Sequence, residues 1–542
     1  MTTLNLRKRG ISPLFIIVSI IIALIVLPTV FIMFRLLQPP TESWFHIKEF
    51  LLAEYMTNSL ILVLGVSLIT GILGVYFAWS LARYEWRYSR VLEMLLFLPM
   101  AFPPYIAGYV YGGIFTPFGT LHRILDKLGL QPIKVDILSK GGAVFVFALF
   151  LMPYVMLVSR SFFERMPKNI MESSLLLGRS ETQTFFRVIL PMSRGAVVGG
   201  IVLVALEVLN DYGMVRYFGI PTFSTAIYTT WFGMSDVDGA IRLAASLMIL
   251  VASILLVEQF FRGRGRLSQA RASNYRGKKK KPGKGYKRWF YVVLTVYLTF
   301  ALLIPVAQLI SWSSIAKQTS VMRKFGSIMF NTIATGIIVT VFVIIAGILI
   351  GNLNRLHTGR LSKIYARIVI LGYSIPASIV AIAVLVFFIT IDRSLGGLYG
   401  LFGLKKLFLS GSAVVLVFAL TIRFMAIGFN NIEAGYSKMG KKHYEASKLL
   451  GRGEWDTFRY VDFPMLRPAV ISAAILAFVD VMKELPLTMI LRPFNFDTLA
   501  TRVYTYAGDE MIHEASVYSL MIIGVSVIAL MVLTKIRNGA KA

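Results

Sequence analysis

The chain has 542 residues, 56% of them hydrophobic, with a mean hydropathy of +0.71 and a formal net charge of +29. That hydropathy excludes a water-soluble globular domain and makes lipid the solvent against which the sequence is read. The absence of cysteine excludes disulfides and thiolate metal centres.

In chain order, apolar runs occupy 13–37, 57–82, 91–115, 142–161, 195–216, 240–261, 289–313, 329–353, 366–391, 411–430, 468–490 and 515–536. Each is close to the ~20 residues that cross ~30 Å of hydrocarbon, so the expected fold is an all-α membrane protein with twelve transmembrane helices. The first run follows Arg7, Lys8 and Arg9 as a secretory signal would, but it is too long and has no small-residue cleavage site. It is expected to be an uncleaved first span.

The positive charge is concentrated in alternate loops. Arg7 to Arg9, then Arg83, Arg87 and Arg90, then six Lys/Arg between Arg160 and Arg194 fall on one side of the expected topology. So does the stretch 262–288, with 12 Lys/Arg and no acid. The opposite loops carry Glu42, Glu49, Glu54, Asp236, Asp238, Asp509, Glu510 and Glu514, and the loop 314–328, with Lys317, Arg323 and Lys324, runs against the trend. The positive-inside rule then makes both termini and the central basic stretch cytoplasmic. That stretch is rich in Gly, Lys and Arg and buries no core, so it reads as a linker near anionic lipid and not as a nucleic-acid site.

The chain repeats itself. Residues 172–196 (ESSLLLGRSETQTFFRVILPMSRGA) and 445–469 (EASKLLGRGEWDTFRYVDFPMLRPA) are identical at 14 of 25 positions at an offset of 273. The same offset pairs Asn58 with Asn331, Gly74 with Gly347, Pro103 with Pro376 and Thr225 with Thr498. It also pairs Ser246-Leu247-Met248 with Ser519-Leu520-Met521; VFAL at 146–149 meets VFAL at 417–420 with a slip of two. The expected organisation is an N-terminal half (1–261), a linker (262–288) and a C-terminal half (289–542), with six spans in each half. An even number of spans makes the halves parallel repeats about an axis normal to the membrane, with a pathway expected between them.

The duplicated polar segments (about 165–194 and 438–467) lie between the fourth and fifth spans of each half. Leu175, Leu176 and Leu177 precede Gly178, which permits a turn after a short helix. A second short helix places Phe185 and Val188 on one face, and Pro191 is expected to close it before the next span. Such hairpins suit docking onto a two-fold partner; a loop that only connects spans would be duplicated equally well.

These segments resemble the EAA loop of ABC importer permeases, although Glu172-Ser173-Ser174 and Glu445-Ala446-Ser447 depart from Glu-Ala-Ala. The resemblance implies type I importer architecture and a coupling helix seated on an ATPase subunit. It assigns ATPase coupling to Glu172, Gly178 and Pro191 in one half and Glu445, Gly451 and Pro464 in the other. The stretches 97–111 (FLPMAFPPYIAGYVY), 211–228 (DYGMVRYFGIPTFSTAIY) and 483–510 (KELPLTMILRPFNFDTLATRVYTYAGDE) resemble ferric-iron-type permeases, with thiamine- and phosphonate-type fused permeases similar. The implied partners are two copies of an ATPase subunit, which would carry ATP and Mg, and an extracytoplasmic substrate-binding protein; the implied place is the bacterial inner membrane.

The chain has no P-loop of its own: GKKKKPGKG from Gly277 has the wrong spacing and no Ser or Thr for magnesium, so no catalysis and no bound cofactor are expected. A secondary carrier is the rival class, but the loop after the second span, ARYEWRYSRVLE, lacks the glycine motif of major-facilitator carriers.

Charges within spans default to functional hypotheses. Glu207 and Asp211 are four apart in the fifth span, as are Asp480 and Glu484 at the repeat offset, so each pair is expected on one helical face of a substrate path. Hard ferric ions favour carboxylate and phenolate oxygen, which adds Tyr105, Tyr109 and Tyr212. Ion pairs Lys483–Asp480 and Arg216–Asp211 are the structural alternative. His513, among Asp509, Glu510 and Glu514, is either a metal ligand or part of a solvated helix start; no metal ligand is assigned.

Overall fold

Prolines decide where the apolar runs stop being simple rods. The structure, a computed structural model, describes residues 13–131, 135–263, 279–316, 324–357, 359–372, 374–401 and 407–539. Arg7, Lys8, Arg9, Lys317, Arg323 and residues 264–278 of the linker lie outside them. Among the described residues there is no strand; eleven helices are long and apolar enough to cross a membrane, and a bent pair makes a twelfth crossing.

The bent pair is Ser89–Ala101 and Pro104–Lys127, which meet at 85°. The expected single span 91–115 is therefore broken. Phe102, ahead of two prolines, is forced out of helical geometry (φ −91°, ψ 117°), and prolines donate no hydrogen bond across the break. The run 366–391 breaks likewise, into Arg360–Gly372 and Ala377–Ser394, ahead of the matching Pro376.

Elsewhere proline widens a helix without ending it. π-helical turns Phe185–Ile189, Thr299–Leu303 and Phe458–Asp462 precede Pro191, Pro305 and Pro464. A proline has no N–H and its ring crowds the carbonyl four residues back, so the ladder shifts to i→i+5, as in Leu190 N–H to the Phe185 carbonyl. Pro191 thus does not close the short helix as expected; one helix runs through it over Glu181–Asn210.

The chain forms two compact units, and they cross the sequence boundaries 1–261 and 289–542: residues 1–40, 324–501 and 528–542 make one, residues 41–323 and 502–527 the other. In the second unit, helices Leu52–Arg83, Lys140–Phe163 and Leu190–Asn210 pack at a small-residue contact. A Cβ on Gly74 would lie 2.8 Å from Val155 Cβ and 3.0 Å from the Met156 nitrogen. Small residues of this kind let helix backbones approach where lipid supplies no hydrophobic drive. Helix Lys284–Leu298 joins this unit: Tyr297 Oη donates to the Leu149 carbonyl (2.8 Å) and Phe290 stacks on Trp86 at 4.0 Å.

In the first unit, Phe325–Leu356, Ala413–Met439 and Phe463–Met482 repeat the arrangement, with Gly347 facing Ile432 Cδ1 at 2.9 Å from a hypothetical Cβ. Helix Pro13–Arg35 packs there, Phe31 against Phe387 and Ser19 Oγ 2.9 Å from Tyr365 Oη. The first helix of each sequence repeat therefore joins the unit whose core the other repeat supplies.

This local chemistry gives an unequal pair of expected effects. Gly74→Ala meets Cβ and backbone atoms and costs about 1–3 kcal/mol, whereas Gly347→Ala meets the movable end of Ile432 and costs less. Thermal unfolding of the purified variants checks this; equal losses would refute it.

Candidate functional site

The two hairpins share two devices, a glycine-capped turn and a hydroxyl pair between the arms, and differ in how the second arm is capped. Helices Lys168–Leu176 and Lys442–Leu449 end at Gly178 and Gly451, with φ of +78° and +79°. Arg179 N–H reaches back to the Ser174 carbonyl (3.3 Å), and Arg452 N–H to that of Ser447 (3.2 Å), closing Schellman-type caps that only glycine enters without strain. The second arms begin at Ser180, whose capping box engages Gln183, and at Gly453. Across each hairpin a buried hydroxyl pair joins the arms: Ser174 to Thr184, and Ser447 to Thr457, both at 2.9 Å. The departure of both segments from Glu-Ala-Ala thus has a use, because the serine at the third position is satisfied by a threonine ten residues later. A Ser–Thr pair at that spacing in both copies was the sequence signal for it.

The tips leave their apolar residues uncovered. Leu176 and Leu177 are 88% and 82% exposed, and their counterparts Leu449 and Leu450 86% and 82%. Glu172, Glu445, Pro191 and Pro464 are also exposed. Glu172 and Gly178, like Glu445 and Gly451, lie on the first arm and turn of each hairpin, whereas Pro191 and Pro464 lie past the second arm, in the helices Leu190–Asn210 and Phe463–Met482. Phe185 turns inward onto Trp79 (5.1 Å).

The bases of the hairpins are held by different chemistry. In the first unit Arg355 forms a two-pronged ion pair with Asp462, at 2.6 and 3.0 Å, both side chains 4% exposed or less. The Arg355 guanidinium also lies over the rings of Tyr436 (4.7 Å) and Tyr444 (5.3 Å). At the repeat offset the second unit has Ala82, half-buried, and Ile189, buried.

The intramembrane carboxylates divide into two kinds. The fifth-span helix stops at Asn210 and its counterpart at Met482, so Asp211 and Glu484 lie beyond the helix ends and not on the helical faces expected for them. Asp211 accepts from Met214 N–H (2.9 Å) and Val215 N–H (3.3 Å), capping Gly213–Tyr217. Glu484, buried, accepts from Leu487 N–H (2.8 Å), Thr488 N–H (3.0 Å) and Thr488 Oγ1 (2.8 Å), capping Pro486–Leu491. Gly213 and Pro486, helix-start residues two positions on, were the legible signal for these caps. Glu207 and Asp480 stay on the last turn of their helices, half-buried, and Lys483 Nζ lies 2.7 Å from Asp480.

The stretch that follows is also duplicated in three dimensions. Asn58 Nδ2 donates to the Pro221 carbonyl and Asn331 Nδ2 to that of Asp497. Ser59 Oγ accepts from Phe223 N–H, and Thr332 Oγ1 from Leu499 N–H. These bonds pair Thr222 with Thr498, so the register slips by three here and Thr225 is not the true counterpart of Thr498.

Of the tyrosines, Tyr109 is interior, bonded to Ser519 Oγ (2.8 Å) and stacked on Trp312; Tyr105 is buried. Tyr212 packs against Tyr228 and Tyr504. His513 meets Trp312 edge-on, and among the described residues no three His, Asp or Glu side chains group as metal ligands.

Comparison with known proteins agrees with this doubled plan. A Fe(3+)-transport system permease protein of Haemophilus influenzae is 24% identical over 501 residues, 89% of this chain and 90% of that protein. A ferric transport system permease protein of Actinobacillus pleuropneumoniae is 21% identical over 500 residues, 88% of this chain and 70% of that protein. A probable sulfate transport system permease protein of Chlorokybus atmophyticus is 27% identical over 200 residues, 36% of this chain and 68% of that protein. Residues 70–258 and 343–537 each match one family domain, so the chain belongs to the binding-protein-dependent transport system inner membrane components, multi-pass proteins of which it carries two copies in one polypeptide.

Proposed function

We propose that this chain is the permease of an ATP-driven ferric-iron importer, its two hairpins docking on two copies of a separate ATPase subunit. The carrying observation is the pair of exposed leucines at the tip of each hairpin, in equivalent places and on equivalently capped turns. Apolar tips on polar hairpins are costly in water and suit insertion into a partner's groove. An external binding protein delivers the substrate, both termini and the linker lie in the cytoplasm, and ATP and Mg belong to the ATPase.

The ferric reading rests on relatives. The proteins matched over 88–89% of the chain carry ferric names, whereas the sulfate-type relative matches 36% of it. Glu207 and Asp480 supply hard oxygen ligands toward a passing ferric ion. Asp211 and Glu484 shape the chain break beside them.

Changing Leu176, Leu177, Leu449 and Leu450 together to Ser is expected to abolish co-purification of the ATPase and ferric uptake while the permease stays folded. Unchanged co-purification would refute the docking. Uptake of sulfate, thiamine or phosphonate in place of ferric iron, with the cognate binding protein, would refute the substrate.

A further inference from the structure

The basic linker does not end as a free tether. Its last described stretch, Lys279 to Gly283, runs along the end of helix Leu52–Arg83. Lys280 N–H donates to the Arg83 carbonyl (3.3 Å) and Glu85 N–H to the Lys280 carbonyl (2.9 Å), a one-residue parallel bridge at Tyr84. Lys279 Nζ donates to the Leu81 carbonyl (2.7 Å). Tyr286 secures the other side, its ring 4.7 Å from that of Tyr84 and its hydroxyl 2.6 Å from Ser80 Oγ. From this platform Lys280 Nζ reaches Glu181 at 2.5 Å, and Arg83 reaches the same carboxylate at 3.5 Å. Glu181 is the first residue of the second arm of the first hairpin.

We propose that Lys279 and Lys280 form a latch that positions the first hairpin through Glu181, so that the two hairpins are held unequally. The first is held at the surface, by a carboxylate 35% exposed and a lysine 53% exposed. The second is held by Arg355 and Asp462, shielded from solvent. At the repeat offset the stretch Lys279 to Gly283 corresponds to residues 6–10, which lie outside the described residues, so the inequality rests on the Arg355–Asp462 pair, which the other repeat replaces with Ala82 and Ile189. Exposed ion pairs are screened by salt and shielded pairs much less. The first hairpin is therefore the adjustable one, tuned by ionic strength and by whatever binds the linker, and the second is the fixed one. The inference deepens the docking reading, because the latch would set the angle at which one of the two ATPase contacts is presented.

The chain has no cysteine, so single cysteines at Thr182 and at Trp455, its counterpart on the second hairpin, can each carry a spin label in the full-length protein. Lys280→Ala or Glu181→Gln is expected to raise the mobile fraction of the label at 182, up to about fivefold for a surface ion pair, and to leave 455 unchanged. Salt of about 0.5 M does the same to the unaltered chain, and Lys280→Arg retains the hold. With the ATPase bound, Lys280→Ala raises ATP hydrolysed per ion transported. An unchanged spectrum at 182, or an equal response at 455, overturns the latch even if the variants fold poorly, because the salt titration needs no substitution. If the ATPase binds neither hairpin, the docking reading fails while the label result still decides the latch.

Discussion

Asp462→Ile, with Arg355 left in place, is expected to destabilise the protein by about 3–5 kcal/mol, because the guanidinium loses both carboxylate bonds in a site closed to water. Arg355→Ala alone strands the carboxylate in the same way. The double variant Arg355→Ala with Asp462→Ile installs the residues of the other repeat, Ala82 and Ile189, and is expected to recover most of the loss. The residual deficit belongs to Tyr436 and Tyr444, which lose the cation over their rings. Melting temperatures of the four proteins close the cycle. A double variant as damaged as either single one would show that the site needs the pair for something other than charge balance. ATPase co-purification should follow stability in this series, since the pair secures the base of the second hairpin.

Glu207→Gln combined with Asp480→Asn is expected to abolish ferric uptake while leaving the amount of folded permease and its ATPase content unchanged. Both side chains are half-buried on the last turn of a membrane-crossing helix, and neither caps the short helix that follows. Exchanging Asp480 and Lys483 keeps their ion pair and tests whether position or mere pairing matters. Asp211→Ala and Glu484→Ala should behave differently. Each removes the acceptor of two backbone N–H groups, at about 1–3 kcal/mol, and lowers folded yield first. Uptake normalised to folded protein separates the outcomes. Normal uptake in the Glu207 and Asp480 double variant would remove both residues from the path.

The carboxylates show where the sequence stopped being legible. Spacing of four residues placed Glu207 with Asp211 and Asp480 with Glu484 on one face, which holds only while the helix continues. Whether it continues depends on the following glycine or proline and on whether the carboxylate can satisfy the next helix's amides. Periodicity weighs the first of these and is blind to the second. Proline was misread in the same manner. Pro191 and Pro464 admit two outcomes, a stop or a widened turn, and the packing of the flanking helix selects the widened turn.

The sequence by itself determined the solvent, the number of crossings, the doubling and the hairpins. Hydropathy, the offset of 273 and the glycine at each turn are properties of short windows, and their physics is local. Only the tertiary structure decided which helices share a core, since helix Pro13–Arg35 and helix Lys284–Leu298 each join the unit built mainly by the other repeat. Apolar helices are interchangeable to a hydropathy scale. Their partners are chosen by close fits such as Phe31 on Phe387 and Tyr297 on the Leu149 carbonyl, contacts between residues far apart in the chain that leave no periodic trace.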